Sequence, residues 1–347
     1  MSADPRQGQQ QMFAWIAGFG DQLRAGAGLP GLDAVTPPAQ RPRQIVACGM
    51  GGSAQAAGLL ADGWPQLPAP VLVHRDYGLP SWADAGTLVI ASSYSGGTAE
   101  TLDAVAAARE RGCPVVAITS GGALGERARA DGFPAVIVPG GQPPRTALGY
   151  SLAALLHVLH RAGLLPDPGA DLDAAAAAVE AGRLAVDAQG AAAGEAAARD
   201  LAVDLAGRFT VVFTSGAGAH GAGRRLLAQL QENAKAPGHV APFPELDHNE
   251  IVGWNLTPAQ RDGFALVVLR GDETDSDALR VDTTLDLLRE QFAVVRQFHA
   301  AGQGHLTRLL GLLALADLTS AHVAVRAGVD PVPIARIDAL KERLAGR

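Results

Sequence analysis

Short apolar runs separated by stretches of helical periodicity organise the chain from about residue 44 onward. Runs near 44–48, 70–74, 87–92, 114–118 and 135–138 predict strands, and the stretches near 53–63, 98–111, 123–130 and 146–162 predict helices between or after them. Strands spaced by helices imply right-handed crossovers and a mainly parallel sheet covered on both faces. Ligands of such sheets bind beyond the carboxyl ends of the strands. Upstream, residues 9–24 read as an amphipathic helix, and the Gly/Pro-rich stretch 26–43 separates it from the first strand.

The pattern then repeats. Residues 171–205 are dominated by alanine, the best helix former, and predict one or two connecting helices. A second α/β pattern begins with Phe209-Thr210-Val211-Val212-Phe213, which enters the turn Ser215-Gly216-Ala217-Gly218. The strand Phe264-Ala265-Leu266-Val267-Val268-Leu269 and helices near 277–290 and 305–325 continue it. Its loop has fewer hydroxyls than those of the first half, so this half is expected to keep the fold without a phosphate site. At 347 residues and 48% hydrophobic content the chain exceeds one core, and two domains are expected.

The chemistry concentrates after two strands of the first half. Ile45-Val46-Ala47-Cys48 leads into Gly49-Met50-Gly51-Gly52-Ser53, and Thr87-Leu88-Val89-Ile90-Ala91-Ser92 leads into Ser93-Tyr94-Ser95-Gly96-Gly97-Thr98. Glycines let a backbone approach a ligand, hydroxyls donate hydrogen bonds, and a following helix N-terminus favours an anion. Both loops therefore read as phosphate cradles. Neither carries the Gly-Lys-Ser/Thr ending of a nucleotide P-loop. A dinucleotide fingerprint stays open, because Gly49, Gly51 and Ala54 fit G-x-G-x-x-A and Arg75 and Asp76 follow the next apolar run. Against it stand Ser93, Ser95 and Thr98, hydroxyls that a dinucleotide fold does not require.

A net charge of −7, without clustered basic residues, predicts neither a nucleic-acid nor a membrane surface. Cys48 and Cys113 lie beside or within apolar runs and read as reduced core cysteines without metal-ligand or redox spacing. The polar N-terminus has no signal-peptide pattern, and apolar stretches such as 148–159 fall short of the roughly 20 residues of a membrane helix. The expectation is a cytoplasmic enzyme with no metal and no cofactor.

Further motifs occur in order along the chain: Pro143-Pro144-Arg145-Thr146-Ala147-Leu148-Gly149, Gln231-Glu232-Asn233-Ala234-Lys235, Pro244-Glu245-Leu246-Asp247-His248-Asn249-Glu250-Ile251 and the tail segment Ile337-Asp338-Ala339-Leu340-Lys341. With the two loops, they resemble the sugar isomerase (SIS) domain family, and within it the bifunctional phosphoglucose/phosphomannose isomerases, from about residue 41 to the C-terminus. The resemblance implies two flavodoxin-like, doubly wound SIS subdomains with mainly parallel sheets and a C-terminal helical tail. It divides the chain into an N-terminal helix and linker (1–40), a first SIS domain with the phosphate loops (41–165), connecting helices (166–205), a second SIS domain (206–325) and a C-terminal helix closing on the site (326–347). It implies interconversion of glucose 6-phosphate and mannose 6-phosphate with fructose 6-phosphate through an enediolate.

Such chemistry needs a ring opened, a proton moved between C1 and C2, and an enediolate stabilised. A carboxylate suits the transfer, since partial burial raises its pKa toward the working pH. Glu232 matches the family's base, although its position alone also fits an exposed helix glutamate paired with Lys235. His248 matches the ring-opening histidine, which in the family reaches the neighbouring subunit's site and so implies a homodimer. Arg145 is expected to stabilise the enediolate with its permanently charged fork, and Lys341 matches a tail lysine that assists ring opening. Gly51, Gly52, Ser53, Ser93, Ser95 and Thr98 match the phosphate-binding positions. Gly97 departs from the family's Ser-Gly-Asn-Thr by replacing asparagine, which is expected to loosen the loop and alter affinity. A non-catalytic sugar-phosphate sensor and a dinucleotide-dependent oxidoreductase are the alternatives.

Overall fold

The computed structural model describes residues 4–64 and 67–345. The chain forms two compact units, one of Ala17–Arg183 with Ala301–Gly311, the other of Met1–Ile16, Leu184–Ala300 and Leu312–Arg347. In place of one helix over 9–24, α1 (Pro5–Ala17) lies mainly in the second unit and α2 (Phe19–Arg24) in the first, with Gly18 between them.

The first unit contains β1 (Gln44–Cys48), α3 (Gln55–Ala61), β2 (Val71–His74), β3 (Thr87–Ser92), α4 (Ala99–Glu110), β4 (Val115–Thr119), α5 (Gly122–Asp131), β5 (Ala135–Ile137), α6 (Leu148–Arg161) and α7 (Gly169–Glu180). Its sheet has the order β2-β1-β3-β4-β5, and every pairing is parallel. Helices cover both faces, so strands such as β3 and β4 are buried almost throughout rather than alternating, with polar residues only at their ends. Helix α6 is buried along nearly its whole length, as its almost continuous apolar sequence dictates. From β1 the chain passes to β2 on one side, and β3 lies on the other. The strand order therefore reverses between β1 and β3, the place where a crevice opens in such folds.

The second unit adds β6 (Ala185–Asp187), β7 (Ala192–Ala193), α8 (Glu195–Leu205), β8 (Phe209–Ser215), α9 (Ala219–Gln229), β9 (Gly238–Pro242), α10 (Glu250–Gly253), α11 (Pro258–Arg261), β10 (Phe264–Arg270), α12 (Asp275–Leu288), β11 (Val294–Ala300), α13 (His305–Arg326) and α14 (Ala335–Ala345). Its sheet runs β7-β6-β11-β10-β8-β9, parallel from β11 to β9, with β6 and β7 added antiparallel. The small β6–β7 hairpin interrupts the alanine-rich segment that the sequence predicts as helical. Phe213 centres one face of the core, meeting Phe243, Trp254 and Phe292 edge to face with ring centroids 5.9–6.4 Å apart. Thr274 and Asp277 form a capping box that starts α12. Helix α13 is long and apolar enough to cross a bilayer by length and composition, but 78% of that stretch is buried within the protein, which is how a core helix reads.

Candidate active site

In the first unit, the two glycine-hydroxyl loops leave the carboxyl ends of β1 and β3, neighbouring parallel strands in register from Gln44↔Thr87 to Cys48↔Ala91. The loops are joined directly. The Tyr94 amide donates to Ser53 Oγ at 3.0 Å, and a Cβ on Gly49 would stand 2.8 Å from the Ser92 carbonyl oxygen. Glycine at 49 is thus a close-approach requirement. Ser93 is fully buried, and its hydroxyl lies 2.8 Å from that of Thr98, the residue preceding α4. Ser95 is exposed at the tip, and its Oγ accepts from the Gly97 amide at 3.4 Å. Gly96, with a φ of 72°, accepts from the Leu124 amide at 2.8 Å, and Ser120 Oγ donates to the Tyr94 carbonyl at 2.6 Å. The turn after β4 therefore braces the second loop from behind.

Arg145 lies in the 3-10 turn Pro144–Thr146 and is buried, at 2% exposure. Its backbone packs against the first loop, since a Cβ on Gly52 would come within 3.1 Å of the Arg145 nitrogen. Buried Gln22 in α2 anchors this turn. It donates to the Thr146 carbonyl at 2.8 Å and accepts from the Gly149 amide at 3.1 Å. Sequence reasoning missed Gln22, because no local pattern connects it to a turn more than a hundred positions away.

In the second unit, Glu232 is half-buried on a π-helical turn, Leu230–Ala234, that continues α9. Lys235 ends this turn in the left-handed region, with a φ of 57°. Its ammonium donates to the main-chain carbonyls of Glu232 at 2.5 Å and Pro333 at 2.8 Å. It thus ties the glutamate's turn to the segment leading into α14, where Lys341 is exposed. His248 is exposed at the end of the 3-10 turn Glu245–His248. Leu246 roots that turn in the core, and Asp247 accepts from Thr284 Oγ1 at 2.9 Å and Arg280 at 3.2 Å. Asp247 is the second positioning group that sequence inspection passed over.

The second unit's counterpart of the first glycine-hydroxyl loop is closed. Ala217 and Asp272 exchange backbone hydrogen bonds at 3.2 and 3.3 Å, and a Cβ on Gly216 would meet Asp272 at 2.8 Å. Buried Arg270 at the end of β10 is held by Glu273 at 2.8 Å and Asp282 at 2.7 Å. The amides of Ala217, Ala219, Gly271 and Asp272 are thus occupied by the chain itself. Among the described residues, no three His, Cys, Asp or Glu side chains gather as a metal site.

Paired α/β units, one bearing two hydroxyl-lined loops at its switch point, are the architecture of SIS sugar-phosphate proteins. Residues 195–344 match the family described as Bacterial phospho-glucose isomerase C-terminal SIS domain. The chain is 35% identical over 304 residues to the bifunctional phosphoglucose/phosphomannose isomerase of Caldicellulosiruptor bescii, covering 87% of this chain and 89% of that protein. It is 36% identical over 305 residues to the same-named enzyme of Aquifex aeolicus, covering 86% and 90%. A hypothetical protein of Thermus thermophilus shares the fold, with a TM-score of 0.72 at 17% identity over 98% of this chain and 94% of that one. The chain belongs to the bifunctional phosphoglucose/phosphomannose isomerase family.

Proposed function

We propose that this protein interconverts glucose 6-phosphate and mannose 6-phosphate with fructose 6-phosphate, in the cytoplasm, through an enediolate. The observation that carries this reading is the pair of cross-linked loops at the β1/β3 switch point, with the turn of Arg145 packed directly against the first of them. The amides and hydroxyls of Gly51, Gly52, Ser53, Ser93, Ser95 and Thr98 bind the phosphate, with the Ser93 and Thr98 hydroxyls hydrogen-bonded to each other. Glu232 carries the proton between C1 and C2. Arg145 stabilises the negative enediolate, a role for which a preorganised, permanently charged group in a dry setting is suited. His248 and Lys341 move protons during ring opening, His248 being contributed across a homodimer interface. The division into domains by sequence, with the C-terminal helix closing over the site, belongs to the same proposal.

The test is isotopic. Purified protein incubated with fructose 6-phosphate in deuterated water should place deuterium at C2 of both aldose phosphates, at a rate unaffected by a chelator. Glu232→Gln keeps the volume but cannot take the proton, so turnover should fall on the order of a thousandfold while sugar-phosphate binding persists. Binding without either turnover or C2 exchange in the parent protein would leave a sensor, and near-parental turnover in Glu232→Gln would remove that residue as the base.

A further inference from the structure

We propose that a buried polar ladder between α9 and α13 is the device that aims Glu232, with Arg225 and Asp317 as its principal positioning residues. The inference rests on Glu232 being the proton-transfer base. Three residues spaced by four, Arg225, Gln229 and Asn233, line one face of α9 and the π-turn, and none exceeds 2% exposure. Each meets α13. Arg225 donates to one oxygen of the Asp317 carboxylate at 2.6 Å, Gln229 to the other at 2.9 Å, and Asn233 to Ser320 Oγ at 3.0 Å. Ser320 in turn donates to the Asp317 carbonyl at 2.8 Å, which closes the ladder along α13. Asp317 and Ser320 are themselves at 5% and 0% exposure.

Stability does not account for this arrangement. Removing two charges from water is costly, and well-packed apolar residues in their place commonly serve as well or better. What a buried pair does supply is register, because a shift of one residue would strand a charge. Register matters at this point of the chain. A π-turn adds about one residue to the winding of the helix, and it occurs mostly as a single-turn bulge, frequently at functional sites. Gln229 is fixed immediately before that turn and Asn233 within it, while Lys235 ends it through its carbonyl contacts. Glu232 lies between fixed points. Relaxation to α-helical register would rotate its carboxylate about the helix axis and away from its working direction.

The experiment compares the parent with Arg225→Met/Asp317→Leu, which replaces the pair with apolar side chains, with Ser320→Ala, and with Glu232→Gln. Thermal unfolding, kcat and KM for fructose 6-phosphate, and the pH profile of kcat are measured on each. The ladder predicts that the double variant keeps a near-parental unfolding temperature and KM, while kcat falls on the order of ten- to a hundredfold. The pH at which its activity rises should move, because the carboxylate sits in altered surroundings. Ser320→Ala should show the same pattern with a severalfold loss, and it decides the matter if the double variant does not fold. Parental kcat in a folded double variant, or in Ser320→Ala, overturns the inference, as does a loss of kcat that merely tracks lost folded protein. A Glu232→Gln variant that still turns over instead refutes the base assignment, whatever the ladder variants do.

Discussion

Alanine placed at Gly96 or at Gly97 tests the second glycine-hydroxyl loop with one chemistry at adjacent positions. Gly96 has a φ of 72°, which costs an alanine about 1–2 kcal/mol. Its Cβ would stand 1.9 Å from the Gly121 carbonyl oxygen and 2.8 Å from that carbonyl carbon. Reaching an ordinary contact distance requires a retreat of roughly 1.5 Å. The retreat breaks the hydrogen bond from the Leu124 amide to the Gly96 carbonyl, worth about 1–3 kcal/mol when a buried partner is stranded. Gly96→Ala should therefore destabilise by about 2–5 kcal/mol and weaken fructose 6-phosphate binding, since Ser95 and Thr98 move with the loop. Gly97 is exposed, outside the left-handed region, and a Cβ there meets nothing within 4 Å. Gly97→Ala, and Gly97→Asn which restores the family's residue, should stabilise by ~0.4–1 kcal/mol through a less flexible unfolded chain. Urea denaturation and calorimetric titration with fructose 6-phosphate measure both effects. Equal shifts for Gly96→Ala and Gly97→Ala, or parental affinity in folded Gly96→Ala, would refute the bracing role assigned to the turn after β4.

Three further outcomes are expected. Ser95→Ala should leave the urea midpoint unchanged, because the side chain is exposed, yet lower fructose 6-phosphate affinity by about ten- to a hundredfold, as loss of a donor to a charged phosphate implies. Ser53→Ala should lower both affinity and stability, by about 1–3 kcal/mol for the latter, because the Tyr94 amide loses its acceptor; an unchanged midpoint would argue against the inter-loop bond. Burial holds His157, His220, His299 and His322 below the usual imidazole value of 6.5. The unfolded chain then binds protons that the folded chain does not, so stability is complete above about pH 6.5 and is lost as the pH falls through the lower folded values. Urea midpoints at about pH 7.5 and 5.5 check the sign, and His157→Leu should reduce the difference.

The strands that carry the two glycine-hydroxyl loops were legible because β1, β3 and β4 are largely apolar runs buried on both faces, and such runs announce themselves without knowledge of their neighbours. Strands that exist by virtue of their partners were not. Gly238–Pro242 carries glycine and proline and is a strand because it extends the edge of β8. Ala185–Asp187 lies in sequence that favours helix, and its pairing with Phe298 to Ala300 overrides that propensity. The same distinction applies to the site. Loop composition and motif order pointed to Ser53, Ser95, Thr98, Arg145, Glu232 and His248 as candidates. The groups that hold those segments in place, Gln22, Tyr94, Asp247 and Asp317, act across long sequence separations that no local pattern records. Nor does composition reveal a π-turn, which differs from α-helix by a single residue of winding.

Helix α1 precedes every other element described, yet it packs with residues some 320 positions later. Gln9 Nε2 donates to the Val329 carbonyl at 3.0 Å, and a Cβ on Gly8 would overlap the carboxylate of Asp330. During synthesis this helix leaves the ribosome some 320 residues ahead of its seat. At roughly 5–20 residues per second, it waits for some tens of seconds beside a nascent first unit. A fragment beginning at Leu184 would be born with that seat empty, whereas a circular permutant joining residue 345 to residue 4 by a flexible linker would deliver the helix together with its seat. Order of emergence, rather than any contact in the finished molecule, would then set how long the apolar side of α1 is left to chaperones.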